Sequence, residues 1–236
     1  MILALDTTSE FGSIALVEHG SLVEEVLLHA PDGFGHVLYD QIRRLLDRHC
    51  LGVQDIECFA AANGPGSFTG VRIGLAAVQG LAEATRRQVA PVSNLQALAF
   101  FGSAELRATV LDARRGEVYG AIYDRGLNPH APEVVMKFQD WIKTLPSGDI
   151  ELISTNPEPF APFAPPGIPI VTAPRALASA IAQIAWRRFT AGETLDPANV
   201  DANYVRRSDA ELLFRSPDSR LPTPDSPTAP PSPQST

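Results

Sequence analysis

The chain has 236 residues, 44% of them hydrophobic, and a formal net charge of −8 at pH 7. That length supports a sizeable core in one or two domains, and the acidic balance excludes a strong overall field toward nucleic acid, leaving only a local basic patch for such contact. Cys50 and Cys58 make neither a disulfide framework nor a zinc spacing and read as ordinary thiols. The opening MILALDTTSE lacks a basic segment and a long apolar run, so it is not a signal peptide. Nothing reads as a membrane span of about 20 apolar residues, and the expected location is the cytoplasm.

In chain order, ILALD (2–6), SIALV (13–17) and SLVEEVLL (21–28) are rich in Ile, Leu and Val and read as strands. Phe11-Gly12 and His19-Gly20 lie between them as expected turns, and the short connections imply an antiparallel meander. A first helix is expected over 34–49, because Leu38, Ile42, Leu45 and Leu46 share one face while Arg43, Arg44, Asp47 and Arg48 lie mostly off it. A fourth strand follows over 57–62, a second helix over 69–86, a short strand near 89–92 and a helix over 94–101. Three strands, helix, strand, helix, strand, helix imply a mixed sheet with helices packed on it. This is the α/β order of the ribonuclease-H-like or actin-like architecture.

The order then partly repeats. LDTTSEFGSIALVEHG (5–20) and LDARRGEVYGAIYDRG (111–126) align without a gap, pairing Leu5 with Leu111, Asp6 with Asp112, Ala15 with Ala121, Leu16 with Ile122 and Gly20 with Gly126. Each copy reads as strand, turn, strand, which suggests a duplication. The second copy is reduced: short strands near 133–137, 150–154 and 168–171, prolines clustered over 157–169, and a helix over 175–191. The expected divisions are an N-terminal lobe over 1–104, a reduced second lobe over 105–214 and a tail over 215–236. The tail is made of Pro, Ser, Thr and Asp with few apolar residues, so disorder in isolation is expected there.

Residues 63–74, NGPGSFTGVRIG, form a glycine-rich loop entering the second helix. A phosphate loop of the G-x-x-x-x-G-K-[ST] type needs a lysine, which this stretch lacks; its nearest cation is Arg72. A dinucleotide fingerprint would follow the first strand of a βαβ unit, and this loop follows the fourth. The first N–H groups of the helix could take an anion, or Ser67 or Thr69 could cap them. Gly70, Gly74, Ala77, Gly80, Ala82 and Ala84 give the helix a low profile. Each internal glycine costs roughly 1 kcal/mol relative to alanine, which a close backbone approach would offset. The approach is either to the chain's own sheet and first helix or to the helices of a second protein. Val71, Leu75, Val78 and Leu81 run beside the small residues, so the helix is apolar on more than one side and buried by its own fold or by a partner.

Asp6 and Asp112 end the two copies of the first strand. In a two-lobed ATPase such positions face metal and phosphate; alternatively each fixes its own turn. Nuclease chemistry on this fold needs several carboxylates around two metals, and the end of the fourth strand carries Ala61, Ala62 and Asn63 instead. His19, His29, His36, His49 and His130 are scattered, with no pair at the i, i+4 spacing of a helical metal site. No Gly-x-Ser-x-Gly elbow is present, so a peptidase has no nucleophile, base or metal constellation.

Taken together, LDTTSEFGSIAL, GPGSFTGVRIGLAAVQGLA, VSNLQALA, DARRGEVYGAIY and Tyr204-Val-Arg-Arg, preceded by Asp196-Pro197, resemble the bacterial tRNA threonylcarbamoyladenosine biosynthesis protein TsaB family, also called YeaZ. The resemblance covers roughly 1–214. It implies a shortened actin-like fold without the metal and nucleotide equipment of the related catalytic subunit TsaD. It implies a non-catalytic partner of TsaD, with the P-loop ATPase TsaE docking on the pair, tRNA engaged through the complex, and a homodimer in isolation. The alternative is an actin-like enzyme that binds or hydrolyses nucleotide through Asp6 and the loop N–H groups. Because the family's partner surface is built from its first two helices, the resemblance implies partner contacts from Leu38, Ile42, Gly70, Val71, Gly74, Leu75, Ala77, Val78 and Leu81. No catalytic, cofactor or metal residue is expected. Many members carry a histidine shortly before the first helix; here that position falls near Gly33, with His36 three residues on.

Overall fold

A computed structural model describes residues 1–205. Ten strands form two five-stranded sheets. The first contains β1 (Ile2–Asp6), β2 (Phe11–Glu18), β3 (Ser21–His29), β4 (Cys58–Ala62) and β5 (Gln88–Val92), in the order β3-β2-β1-β4-β5. The second contains β6 (Leu106–Arg114), β7 (Glu117–Asp124), β8 (Pro129–Lys137), β9 (Ile150–Ser154) and β10 (Ile170–Thr172), in the order β10-β9-β6-β7-β8. In each sheet the first three strands form an antiparallel meander, and the last two add parallel to the opposite side of the first. The two topologies are the same, and the sequence echo marks the equivalent strands, β1 with β6 and β2 with β7.

Helices divide the space around the sheets. α1 (Leu38–Arg48) and α2 (Phe68–Thr85) cover one face of the first sheet. α3 (Asn94–Ala99) and α5 (Ala178–Ala191) lie between the sheets, and the short α4 (Phe138–Trp141) covers the outer face of the second. Strand alternation fits these layers. Leu3, Leu5, Ile14 and Leu16 point toward α1 and α2, whereas Ile2, Ala4, Ala15 and Val17 point toward α5. Because β1 is covered on both sides, all five of its residues are buried and its sequence reads as a continuous apolar run.

The helix between the sheets is exchanged. α3 follows β5 of the first sheet but packs on β6, β7 and β9 of the second; α5 follows β10 of the second sheet but packs on β1, β2, β4 and β5 of the first. Each half thus supplies part of the other's core. The expected boundary at 104/105 falls in the link between α3 and β6, and the expected one at 214/215 lies outside the described residues, as does the expectation of a disordered tail.

Several expectations shift. Phe11-Gly12 is the start of β2 rather than a turn; the turn is residues 7–10. A side chain on Gly12 would meet the Asp6 carbonyl and the Phe34 ring, each at 2.5 Å, so this glycine serves close packing inside a strand. The first helix begins at Leu38, not 34, and β8 begins at Pro129, not 133. α4 and the 3-10 turn Ile142–Thr144 after it are too short for a helical period to show in sequence. They seat Trp141 on β7, where a side chain at Gly120 would meet the indole at 2.4 Å. The region 157–169 between β9 and β10, where the first half has α2, holds only a 3-10 turn at Ala161–Phe163, which is the structural content of the reduction.

The start of α5 is fixed by two polar groups of the first sheet, buried Ser13 and half-buried Glu25. Ser13 Oγ accepts from the N–H groups of Leu177 (3.0 Å) and Ala178 (2.9 Å), and Glu25 accepts from Ser179 N–H at 2.7 Å. Replacing Ser13 with alanine leaves two buried donors without an acceptor. Such a loss costs roughly 1–3 kcal/mol for each group, so Ser13→Ala should lower the free energy of urea unfolding by at least about 1 kcal/mol; an unchanged unfolding midpoint would contradict this seat.

Candidate functional site

The glycine loop is held by its own chain. Ser67 N–H donates to the Thr8 carbonyl at 2.7 Å, and Asn94 N–H donates to the Gly64 carbonyl at 2.9 Å. Ser67, not Thr69, is the N-cap of α2, its Oγ accepting from Gly70 N–H at 3.3 Å. Thr7 hydroxyl donates to the Gly70 carbonyl at 2.7 Å. A side chain at Gly66 would stand 2.7 Å from Thr8 Cβ; at Gly70, 2.0 Å from the Thr7 carbonyl; at Gly74, 2.6 Å from Thr7 Oγ1. The turn after β1 therefore lies directly against the loop and the first two turns of α2. Of the three uses open to these glycines, close approach within the chain accounts for Gly66, Gly70 and Gly74.

The residues expected to touch a partner divide by face. Leu38 and Ile42 of α1, and Gly70, Val71, Gly74, Leu75, Ala77 and Val78 of α2, are buried against the first sheet. Leu81 packs at the edge of that cluster. The outer side carries different residues. Tyr39 on α1 is 56% exposed and Phe68 at the start of α2 is 45% exposed. Thr69, Arg72, Ala76 and Gly80 of α2 are exposed, and Ile73 is half-buried. Gly80 has open space where a side chain would be. At one end, the Arg72 guanidinium lies 3.9 Å over the Phe68 ring, Phe68 stacks with Tyr204 at 5.4 Å, and Arg72 Nε donates to Tyr204 hydroxyl at 3.1 Å. Sequence reasoning passed over Tyr39, Phe68 and Ala76. The available signal was that they fall opposite the inward apolar stripe of each helix.

The carboxylates serve turns. Asp6 Oδ1 accepts from Thr8 N–H (2.9 Å) and Thr8 hydroxyl (2.7 Å), and Asn94 donates to Thr8 hydroxyl at 2.8 Å. Asp112 repeats the device, its Oδ1 accepting from Arg114 N–H at 2.7 Å. Burial pushes the Asp6 carboxyl above its ordinary value, although the Thr8 and Asn94 hydrogen bonds act to lower it. Among the described residues, no three His, Cys, Asp or Glu side chains come together as a group that could hold a metal ion. His36 is exposed, and His49 bonds Glu24 at 2.7 Å. Arg48 and His49 hold the Glu24 carboxyl below the usual carboxylate range. No described helix is long and apolar enough to cross a membrane.

Two interlocked sheets of one topology, with exchanged helices, define an actin-like α/β protein, and residues 34–179 match the family model described as TsaD, tRNA N6-adenosine threonylcarbamoyltransferase. The tRNA threonylcarbamoyladenosine biosynthesis protein TsaB of Bacillus subtilis is 31% identical over 153 residues, covering 63% of this chain and 67% of that protein. TsaB of Haemophilus influenzae is 38% identical over 122 residues, covering 50% of this chain and 51% of that protein. A solved structure of YeaZ from Pseudomonas aeruginosa superposes with a TM-score of 0.76 and 28% identity, over 86% of this chain and 98% of that one. The chain belongs to the TsaB (YeaZ) family. These two TsaB proteins are thus matched over about half to two-thirds of their length.

Gly70→Ala forces a methyl group into the Thr7 carbonyl and should destabilise the fold by about 1–3 kcal/mol, whereas Gly80→Ala, in a helix and facing open space, should stabilise it by about 0.5–1 kcal/mol. Urea unfolding of the two variants checks the opposite signs. For Asp6, the folded carboxyl binds its proton more tightly than the unfolded one. Its contribution to stability is therefore greatest at acid pH and is lost as pH rises from the ordinary carboxylate value through the raised one. Asp6→Asn keeps an acceptor for Thr8 and cannot ionise, so its stability relative to the parent should improve as pH rises across that window, in paired melts from pH 4 to about 8.

Proposed function

We propose that the chain is a non-catalytic subunit that binds a TsaD-type threonylcarbamoyltransferase and supports threonylcarbamoylation of tRNA adenosine. The observation that carries this reading is that several groups suited to binding a ligand at the strand ends are occupied by the chain itself, with Asn63 Oδ1 and Asn94 Oδ1 the buried side-chain atoms left without a partner among the described residues. Asp6 is turned onto Thr8, the Ser67 and Gly70 N–H groups are taken by Thr8 and Ser67, and the N–H groups opening α5 are taken by Ser13 and Glu25. A helix N-terminus with free N–H groups attracts an anion; in α5 a carboxylate of the same chain already supplies the charge.

Partner contact falls to the outer side of α1 and α2. Tyr39, Ile73, Ala76 and Gly80 offer a low surface with an aromatic rim, the form that admits a second helix pair at close range. Leu38, Ile42, Gly70, Val71, Gly74, Leu75, Ala77 and Val78 support that surface from beneath, and Leu81 lies at its margin. A TsaE-type ATPase docks on the resulting pair, tRNA is engaged through the assembly, the same face allows self-association when the partner is absent, and the complex works in the cytoplasm.

Ala76→Arg and Gly80→Leu test the surface without entering the core. A charge buried without a partner at an interface costs about 2–5 kcal/mol, so Ala76→Arg should weaken binding to the TsaD of the same organism by at least tenfold in calorimetry. Gly80→Leu should weaken it through overpacking. Ala76→Arg should keep the parent's unfolding curve, and Gly80→Leu should be no less stable than the parent. Parent-like affinity in both variants would remove this face from the interface, and full tRNA modification by TsaD and TsaE without this chain would remove the supporting role.

A further inference from the structure

Residues 195–205 run from the first sheet across α2 and end against the second sheet. Leu195 pairs with Val89 of β5 through two backbone hydrogen bonds of 2.9 and 2.8 Å. The chain then turns at Pro197–Asn199, where Gln79 of α2 donates to the carbonyls of Pro197 (2.9 Å) and Val200 (3.1 Å). Asn203 is the far end of this span. Its N–H donates to the Asn63 carbonyl, just after β4, at 2.7 Å, and its side-chain amide donates to Glu133 Oε2 on β8 at 2.7 Å. Glu133 is also the acceptor for Tyr123 hydroxyl on β7, at 2.8 Å, and for Ser93 hydroxyl, the cap of α3. One carboxylate thus gathers donors from β7, from the link between β5 and α3, and from the 195–205 segment.

The path is tight as well as bonded. Gly64 has a φ of +108°, and a side chain there would stand 2.9 Å from the Asn203 carbonyl. A substituted residue at 64 would push the segment off the loop, so this glycine of the NGPGSF stretch serves the crossing.

We propose that residues 195–205 form a clamp that holds the two sheets at one fixed separation, with the Asn203–Glu133 hydrogen bond as its fastening. Asn203 is bonded to the first-sheet side through its backbone and to the second sheet through its side chain, so neither sheet can move away from the other without breaking one of these bonds.

The test exchanges donor and acceptor. Asn203→Asp sets a carboxylate against Glu133 and removes the donor. Adding Glu133→Gln restores one hydrogen bond of reversed polarity, because the new amide can donate to the new carboxylate while its oxygen still accepts from Ser93 and Tyr123. Spin labels on exposed Cys50 and on a Lys143→Cys substitution report the separation; Cys58 is buried and does not label. The parent should give one narrow distance distribution, Asn203→Asp a broadened or displaced one, and the double variant a narrow one again. Amide exchange of residues 195–205 should accelerate about tenfold or more in Asn203→Asp, as expected for loss of a hydrogen bond to a charged acceptor. If Asn203→Asp does not fold, Asn203→Ala should broaden the distribution in the same direction by a smaller amount. A distribution as narrow as the parent's in the single variants, despite accelerated exchange of the segment, overturns the clamp. Broadening that Glu133→Gln leaves unrelieved overturns the Asn203–Glu133 bond as its fastening.

Discussion

The hydrogen bonds at the start of α5 set the frame on which the other features depend. Ser13 and Glu25 lie on β2 and β3, yet they receive N–H groups from a helix that follows the tenth strand. A 14-residue helix brought across in this way buries Ala178, Ala180, Ile181, Ala182, Ile184 and Ala185 against the first sheet. Each large apolar side chain so buried contributes roughly 1.5–3 kcal/mol, while the alanines let the helix lie close to the strands. α3 makes the reciprocal crossing onto the second sheet. Neither sheet completes its core alone, so the halves of the duplication form one cooperative body.

That frame also explains why the second half tolerates its reduction. In the first half α1 and α2 cover the outer face of the sheet. In the second, α4 and the turn after it cover only part of the outer face with Phe138 and Trp141, joined by Phe160 from the proline-rich stretch. The inner face of that sheet is secured by α3, with α5 packed against α3 from the first-sheet side, so the loss of a long outer helix removes cover from one side only.

The order of elements along the first half, the meander and the duplication were legible in the sequence because they depend on local composition and on a gapless repeat. β1, β4 and β9 match their expected bounds to within a residue. The residues expected to dock a partner illustrate what local pattern cannot supply. Gly70 and Gly74 carry the small-residue spacing of a helix contact, and that spacing shows that something approaches α2 without showing what. The approaching group is Thr7, more than sixty positions away in the chain, and only the packed structure identifies it. Phe11-Gly12 shows the same ambiguity in a strand: glycine reads as a turn signal, whereas here it makes room for Phe34. Glu133 and Asn203, seventy residues apart, carry no motif at all.

The polar chemistry of the strand ends follows from the same constraint. An actin-like body brings carboxylates and helix N-termini together at the ends of its strands, an arrangement that satisfies a phosphate or a metal when one is supplied. In this chain most of those buried groups are paired internally, which matters because an unpaired buried donor costs about as much as a lost hydrogen bond; Asn63 Oδ1 and Asn94 Oδ1 are the buried side-chain atoms without a partner among the described residues. Thr8 beside Asp6, Ser67 beneath Gly70, and Ser13 with Glu25 beneath α5 meet that requirement. Their arrangement makes the strand ends part of the structural core and leaves the outer side of α1 and α2 as the broad helical surface with small residues on show. Exposure of that side and rigidity of the body are compatible, because the inward faces of the same two helices are already committed to the first sheet.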